Sequence, residues 1–299
     1  MRHRLEYALV RSLVWLFASL PRPVARAAAV LLAQSARILH VRLRRVGERN
    51  LELAFPAMAA PERDRILRGV FTSLGRQLAE ICRFPKYTLA NVDEVVIYDG
   101  LENYLAARDR GRGVLFLTAH LGGWELGSFV HSLHGYPLRI VMRPMDNPYL
   151  DDLVRRYRTL HGNSTFGKQD FARGLLAAMK AGETVGVLMD TNMTPPQGVF
   201  VEFFGRLACT PSGIARVALR TGAAVVPAFT LWDEQLGKYK IRFDPALELA
   251  STGDDDADAL TNTALCTRHI ESYIRRFPDQ WLWVHRRWKT RPEGESALY

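Results

Sequence analysis

LFLTAHLGGWELGSF, residues 115–129, joins a short apolar run to a glycine pair and then to an amphipathic segment. That is the pattern of a buried strand, a tight turn and a helix, so a strand is predicted over 114–119 and a helix over 124–133. His120 falls at the strand end, Gly122 and Gly123 make the turn, and Glu125 opens the helix. On one continuous helix His120 and Glu125 would point about 140° apart. A glycine turn removes that obstacle because it lets the backbone reverse closely, and a carboxylate in the first helical turn is then expected to reach a ring nitrogen of His120. The positive helix terminus also favours the ionised form of Glu125. An imidazole held in one tautomer by a carboxylate can take the proton of an alcohol as it attacks an activated carbonyl. His120 and Glu125 are therefore the candidate catalytic pair. With eight histidines and 31 acidic residues about one such spacing arises by chance, so the pair draws its weight from its place at a strand end before a glycine turn. The competing reading is a core histidine with a satisfied hydrogen bond.

The alternation continues outward. Strands are predicted over 95–98, 138–142, 184–189, 224–230 and 239–243, and helices over 101–108, 149–160, 171–180 and 257–277. An extended segment covers 199–204 and a further helix 211–220. Such alternation argues for βαβ units, and the expected fold class is α/β: a mixed, largely parallel central sheet flanked by helices. Residues 62–84 place Ile66, Val70, Leu74, Leu78 and Ile81 at helical spacing, which makes this a packing helix.

Charge is unevenly spread. Up to Gly47 there are nine arginines against Glu6 alone, so +8 of the formal +9 lies in that segment. The same segment is apolar, with Arg11 the one charge between Ala8 and Leu20. Basic and apolar together point to a lipid interface, with arginines adding on the order of 1 kcal/mol each near anionic headgroups. The apolar run ends at Pro21, well short of the roughly 20 residues that span a bilayer. Membrane-associated N-terminal helices over 1–47 and a catalytic domain over 48–299 are expected; a helix packed on the body and a poorly formed secretory signal are the alternatives. The near-neutral body argues against nucleic acid, which requires clustered positive charge on the folded surface. Cys82, Cys209 and Cys266 have neither disulfide-framework nor zinc-site spacing, and the chain lacks a GxSxG elbow, so direct transfer is favoured over a covalent acyl-enzyme.

Six ordered blocks carry a resemblance over almost the whole chain. They are RNLELAFP (49–56), TAHLGGWELG (118–127), MRPMDNPYLD (142–151), the Asp190 segment, VEFFGRLACTPSGIARVALRTGAAVVPAF (201–229) and WLWVHRRWKTRP (281–292). Together with the apolar, arginine-rich start, the chain resembles the bacterial lipid A biosynthesis acyltransferase family, the late lauroyl and myristoyl transferases, which also includes phosphatidylinositol mannoside acyltransferases. The resemblance implies a glycerolipid acyltransferase-like fold and an acyl carrier protein thioester as donor. It further implies a membrane glycolipid hydroxyl as acceptor and work at the cytoplasmic face of a bacterial inner membrane. No cofactor and no metal are expected. The resemblance places His120 as general base and Glu125 as its orienting partner.

Four further residues are candidates for binding substrate. Arg143, after a predicted strand end, is suited to holding a phosphate or stabilising an oxyanion. Asp190, also at a strand end, either positions the acceptor, orients His120 or caps a turn. Glu202 and Arg206 are expected to reach the active-site side. Thr210 reads as an N-cap for a helix starting at Pro211. The tail residues Trp281, Trp283, His285, Arg286, Arg287 and Trp288 suit a headgroup-level surface or a phosphate pocket, with a packing strand as the alternative. The segment TNMTPPQG (191–198) departs from the acidic or glycine-containing run common in lipid A enzymes, which leaves the acceptor open. The alternatives to the glycolipid acyltransferase are a thioester hydrolase using the same base, an acyltransferase for another membrane lipid, and a membrane-binding protein without activity.

Overall fold

A computed structural model describes residues 1–142, 144–167 and 171–299. Its main sheet has seven strands: β1 (Val96–Asp99), β2 (Val114–Thr118), β3 (Leu138–Met142), β4 (Ser164–Gly167), β5 (Thr184–Leu188), β8 (Ala224–Asp233) and β9 (Lys238–Phe243). Strands β6 (Gly198–Phe203) and β7 (Arg206–Pro211) form a separate antiparallel hairpin. The spatial order in the main sheet is β1, β9, β8, β2, β5, β3, β4. Every neighbouring pair is parallel except β8 with β9, so the sheet is mixed and largely parallel.

The central strand is buried on both faces, which is why β2 reads as a continuous apolar run. Successive side chains alternate between faces. Val114 and Phe116 join a core with Leu126, Phe129 and Val130 of helix α6 (Trp124–Leu133) and Tyr104 of α5 (Leu101–Arg108). Leu115 and Leu117 join the opposite core, with Leu175 of α8 (Phe171–Lys180), Ile214 of α9 (Gly213–Thr221), and Cys266 and Ile270 of α10 (Asp255–Arg276). Helix α7 (Pro148–Arg158) begins with Asn147 capping the backbone N–H of Tyr149.

The first part of the chain forms α1 (Arg2–Ser19), α2 (Arg22–Leu39) and α3 (Val41–Ala54), followed by α4 (Ala60–Cys82). The break between α1 and α2 falls at Pro21, and α3 runs through residue 47. Helix α2 lies closely along α4: a Cβ on Gly75 would sit 2.6 Å from the Cα of Val30. The contact is locked by the fully buried Glu80, which pairs with Arg26 and Arg22 and accepts from the Tyr87 hydroxyl. Arg26 and Arg76 stack on the Trp232 ring at 4.6 and 4.4 Å. The outer side of these helices is apolar and open, with Trp15 70 % and Leu39 78 % exposed. Among the described residues no single helix is long and apolar enough to cross a membrane; α2 and α3 reach that length only together, bent by 86°.

Candidate active site

Strands β2 and β5 are parallel neighbours with Thr118 opposite Leu188. Two residues beyond that pair, the chains deliver His120 and Asp190 side by side at the carboxyl edge of the sheet, where α/β folds bind ligands. Asp190 is buried and accepts three hydrogen bonds: from the His120 backbone N–H at 2.9 Å, from His120 Nδ1 at 2.9 Å and from Trp281 Nε1 at 2.7 Å. Burial opposes its ionisation, but the imidazole and these donors outweigh that and hold the carboxyl well below the usual range. Because an ionised carboxylate only accepts, Nδ1 carries the proton and Nε2 keeps a free lone pair. Burial by itself depresses protonation of His120, yet the Asp190 charge and hydrogen bond, helped by the Glu125 charge, raise its pKa above the ordinary imidazole value. The His120 ring packs edge-on against Trp124, with centroids 5.2 Å apart.

Glu125 does lie in the first turn of α6, but its carboxylate does not take the expected position on a His120 ring nitrogen. Both oxygens bind the Arg158 guanidinium at the end of α7, Nε to Oε2 at 2.9 Å and Nη2 to Oε1. Its backbone N–H donates to Gln77 Oε1 at 3.3 Å. The contact that fixes the tautomer belongs to Asp190, and Glu125 acts on His120 through its charge. Burial opposes the charge of Arg158, but the Glu125 pair more than restores it. The result is a fixed ion pair beside the imidazole.

These groups open onto a cavity of about 1470 Å³ lined by His120, Glu125 and Arg158 and, deeper in, by apolar residues of the sheet and α6. That exceeds the roughly 300–1,000 Å³ of common ligand sites, so the cavity has room for more than one small ligand. Burial pushes the Cys266 thiol up to about 12 and the Cys82 thiol up to about 11, so neither supplies a thiolate nucleophile.

Residues 1–290 match the family model of the bacterial lipid A biosynthesis acyltransferases. The chain belongs to this family. It is 33% identical over 291 residues to the lipid A biosynthesis lauroyltransferase of Escherichia coli, covering 96% of this chain and 92% of the relative. It is 31% identical over 287 residues to the palmitoleoyltransferase of the same organism, with the same coverage. Identity to the E. coli myristoyltransferase is 24% over 252 residues, or 84% and 76% of the two chains. The protein is an acyltransferase.

The other residues singled out in the sequence of this lipid A acyltransferase family member have different fates. Arg143 lies outside the described residues. Glu202 and Arg206 do not reach the active-site side: both are exposed on the β6–β7 hairpin, and Arg206 Nε donates to the Leu53 carbonyl at 3.1 Å. Neither lines the cavity. Thr210 is no helix cap. It belongs to β7, where its hydroxyl binds the Ala208 carbonyl and receives the Arg287 guanidinium, and α9 starts only at Gly213. Trp281, Trp283 and Trp288 are fully buried, which excludes them from a headgroup-level surface. Nor do they form a strand face. Trp281 makes an isolated bridge to Leu121, and Leu282 N–H donates to the His120 carbonyl at 3.0 Å. The tail thus holds the His120 loop in place.

The same loop is tied both to the start of the tail, at Gln280, and to β8, at Thr230. Gly122 donates to the Gln280 carbonyl at 2.9 Å and Gly123 to the Thr230 carbonyl at 2.8 Å. Gly122 has φ +63°, and a Cβ there would lie 2.1 Å from the Thr230 carbonyl oxygen. Gly122→Ala therefore combines a left-handed backbone with a backbone clash and is expected to lower stability by roughly 3 kcal/mol or more. Urea denaturation would show it; a midpoint matching the unsubstituted protein would mean the loop is not constrained as described.

Proposed function

We propose that this acyltransferase moves a fatty acyl chain from a thioester, carried by acyl carrier protein or CoA, to a hydroxyl of a lipid A precursor, with His120 as general base. The observation that carries the proposal is the Asp190 carboxylate on His120 Nδ1, which leaves Nε2 available beside a cavity with room for more than one small ligand. The acceptor hydroxyl donates to Nε2, and its oxygen attacks the thioester carbonyl as the proton passes to the ring. The imidazolium so formed is stabilised by Asp190 and the Glu125 charge. Collapse of the tetrahedral intermediate breaks the C–S bond, and the ring returns the proton to the departing sulfur. The lipid acceptor is supported by the relatives, each named for lipid A biosynthesis. This reading gives Arg143 the task of meeting a phosphate or the oxyanion.

The reading also puts the protein at the cytoplasmic face of the inner membrane, with residues 1–47 as the membrane-associated part and 48–299 as the catalytic domain. Its support is the exposed apolar side chains of α1 and α2, such as Leu9, Trp15, Leu31 and Ile38, interspersed with arginines on the same helices. The test is release of carrier thiol with and without a lipid A precursor, alongside mass spectrometry of the lipid. Release that depends on the precursor, matched by a mass gain of one acyl group, is expected. Release that ignores the precursor would make the protein a hydrolase and overturn the proposal.

A further inference from the structure

The cavity is not confined to the carboxyl edge of the sheet. One lobe descends between α6 and the sheet, past Thr118 and Leu188 to Phe116, Ile140, Ala228 and His131. At the level of Phe116 and Ile140 the strand between them carries no side chain: Gly186 of β5 is the register partner of both. Glycine inside a buried strand weakens it and leaves nothing to pack, and it commonly marks a place where another group comes close. A Cβ built on Gly186 meets no atom within 4 Å, so the missing side chain is replaced by open space.

One strand pair further down the Tyr104 hydroxyl meets Thr184 Oγ1 at 3.1 Å, and neither residue lines the cavity. At that inner end the lobe is lined by His131, packed against Tyr104 and Phe116 with ring centroids 4.7 and 5.4 Å away. The Tyr98 hydroxyl lies 3.1 Å from Nδ1, and Nε2 is enclosed without a hydrogen-bond partner among the described residues. Burial holds this ring neutral, pushing its pKa down to about 3. It is a stiff wall with a polar edge, a poor neighbour for further methylenes.

From these positions we infer that Gly186 and His131 set the length of acyl chain this enzyme accepts. Gly186 supplies the room and His131 the inner limit. The inference rests on the acyl-transfer reading above. Four residues, the last two beyond the end of β2, separate His120 from the level of Phe116 and Gly186, about 13 Å at strand rise. With C–C bonds near 1.5 Å an extended chain advances about 1.25 Å per carbon, so roughly ten carbons reach the Gly186 level. Gly186 matters for chains longer than that and is indifferent to shorter ones. Neither residue touches the reacting atoms; both act on specificity alone.

The test compares kcat/KM for thioesters spanning roughly 8 to 16 carbons in the full-length protein and two variants. Gly186→Val fills the opening with a residue that strands favour. It is expected to keep activity on the shortest chains while lowering the ratio of long-chain to short-chain kcat/KM by about tenfold or more. His131→Ala removes the wall and is expected to move the ratio the other way. Opposite shifts are not what general damage to the fold would produce. A wild-type length profile in Gly186→Val, or an equal loss at every length, would overturn the inference and leave the acyl-transfer reading intact. Failure of the unsubstituted protein to transfer any chain would overturn both.

Discussion

Asp190→Asn is expected to lower kcat for acyl transfer by about 10³–10⁴-fold, the scale found when a carboxylate that fixes a catalytic imidazole is neutralised. Asp190 accepts from the His120 backbone, the His120 ring and Trp281 at once. An amide of the same shape has one acceptor oxygen and turns two N–H donors toward the remaining donors. It also no longer selects the tautomer with the proton on Nδ1, and it withdraws the charge that stabilises the imidazolium. Stability provides an independent reading. The folded-state pKa of Asp190 lies below its ordinary value, so its contribution is present above the unfolded value of about 3.9. That contribution is lost as pH falls through the folded value. Chemical denaturation of the unsubstituted protein should therefore weaken from about pH 4 downward, and the Asn variant should show a shallower decline. Equal acid sensitivity in both would mean that Asp190 is not a stabilised carboxylate.

His120→Ala is expected to lower kcat/KM by about 10²–10⁴-fold, the usual contribution of a general base. The fold should persist, because Asp190 keeps its bonds from the residue-120 backbone and Trp281. Since His120 and Asp190 act as one unit, the double variant should be barely worse than the more damaging single one. Losses that multiply would show two independent roles. Near-full activity of the single variant would remove His120 from the chemistry.

Much of this site was legible in the sequence, for reasons that also explain what was not. The β2 run, the glycine turn and α6 follow from local pattern, so His120 was placed correctly at a strand end. Its partner was read as Glu125 because a glycine turn can fold the first helical turn back on the strand end, while orienting His120 was only one of three roles open to Asp190, seventy positions away. Strand adjacency decides the matter: with β2 and β5 paired in parallel, equal steps past the shared edge bring His120 and Asp190 together. Arg158 ends a basic stretch of α7 with nothing to set it apart from Arg155 or Arg156, and only the fold turns it toward Glu125. Pro211 was read as a helix start because proline suits that position, yet it is the last residue of β7. The signal for the hairpin was Phe204–Gly205, whose φ values of 53° and 70° form its turn. The tail tryptophans alternate as strand residues do, but they are buried in a turn that holds the His120 loop. Periodicity reports burial there without reporting path.

The central claim is that an imidazole, poised by a buried carboxylate, takes the proton of the incoming hydroxyl. The pH dependence of kcat/KM, which reports ionisation of the free enzyme, tests it most directly. In the unsubstituted protein the rate should fall toward acid with a midpoint above the ordinary imidazole value of about 6.5, because Asp190 and Glu125 raise the His120 pKa. The residual activity of Asp190→Asn should fall with a midpoint displaced toward acid, since burial then acts on the ring with less opposition. An acid limb unmoved by that substitution, or no acid limb at all, would contradict the mechanism.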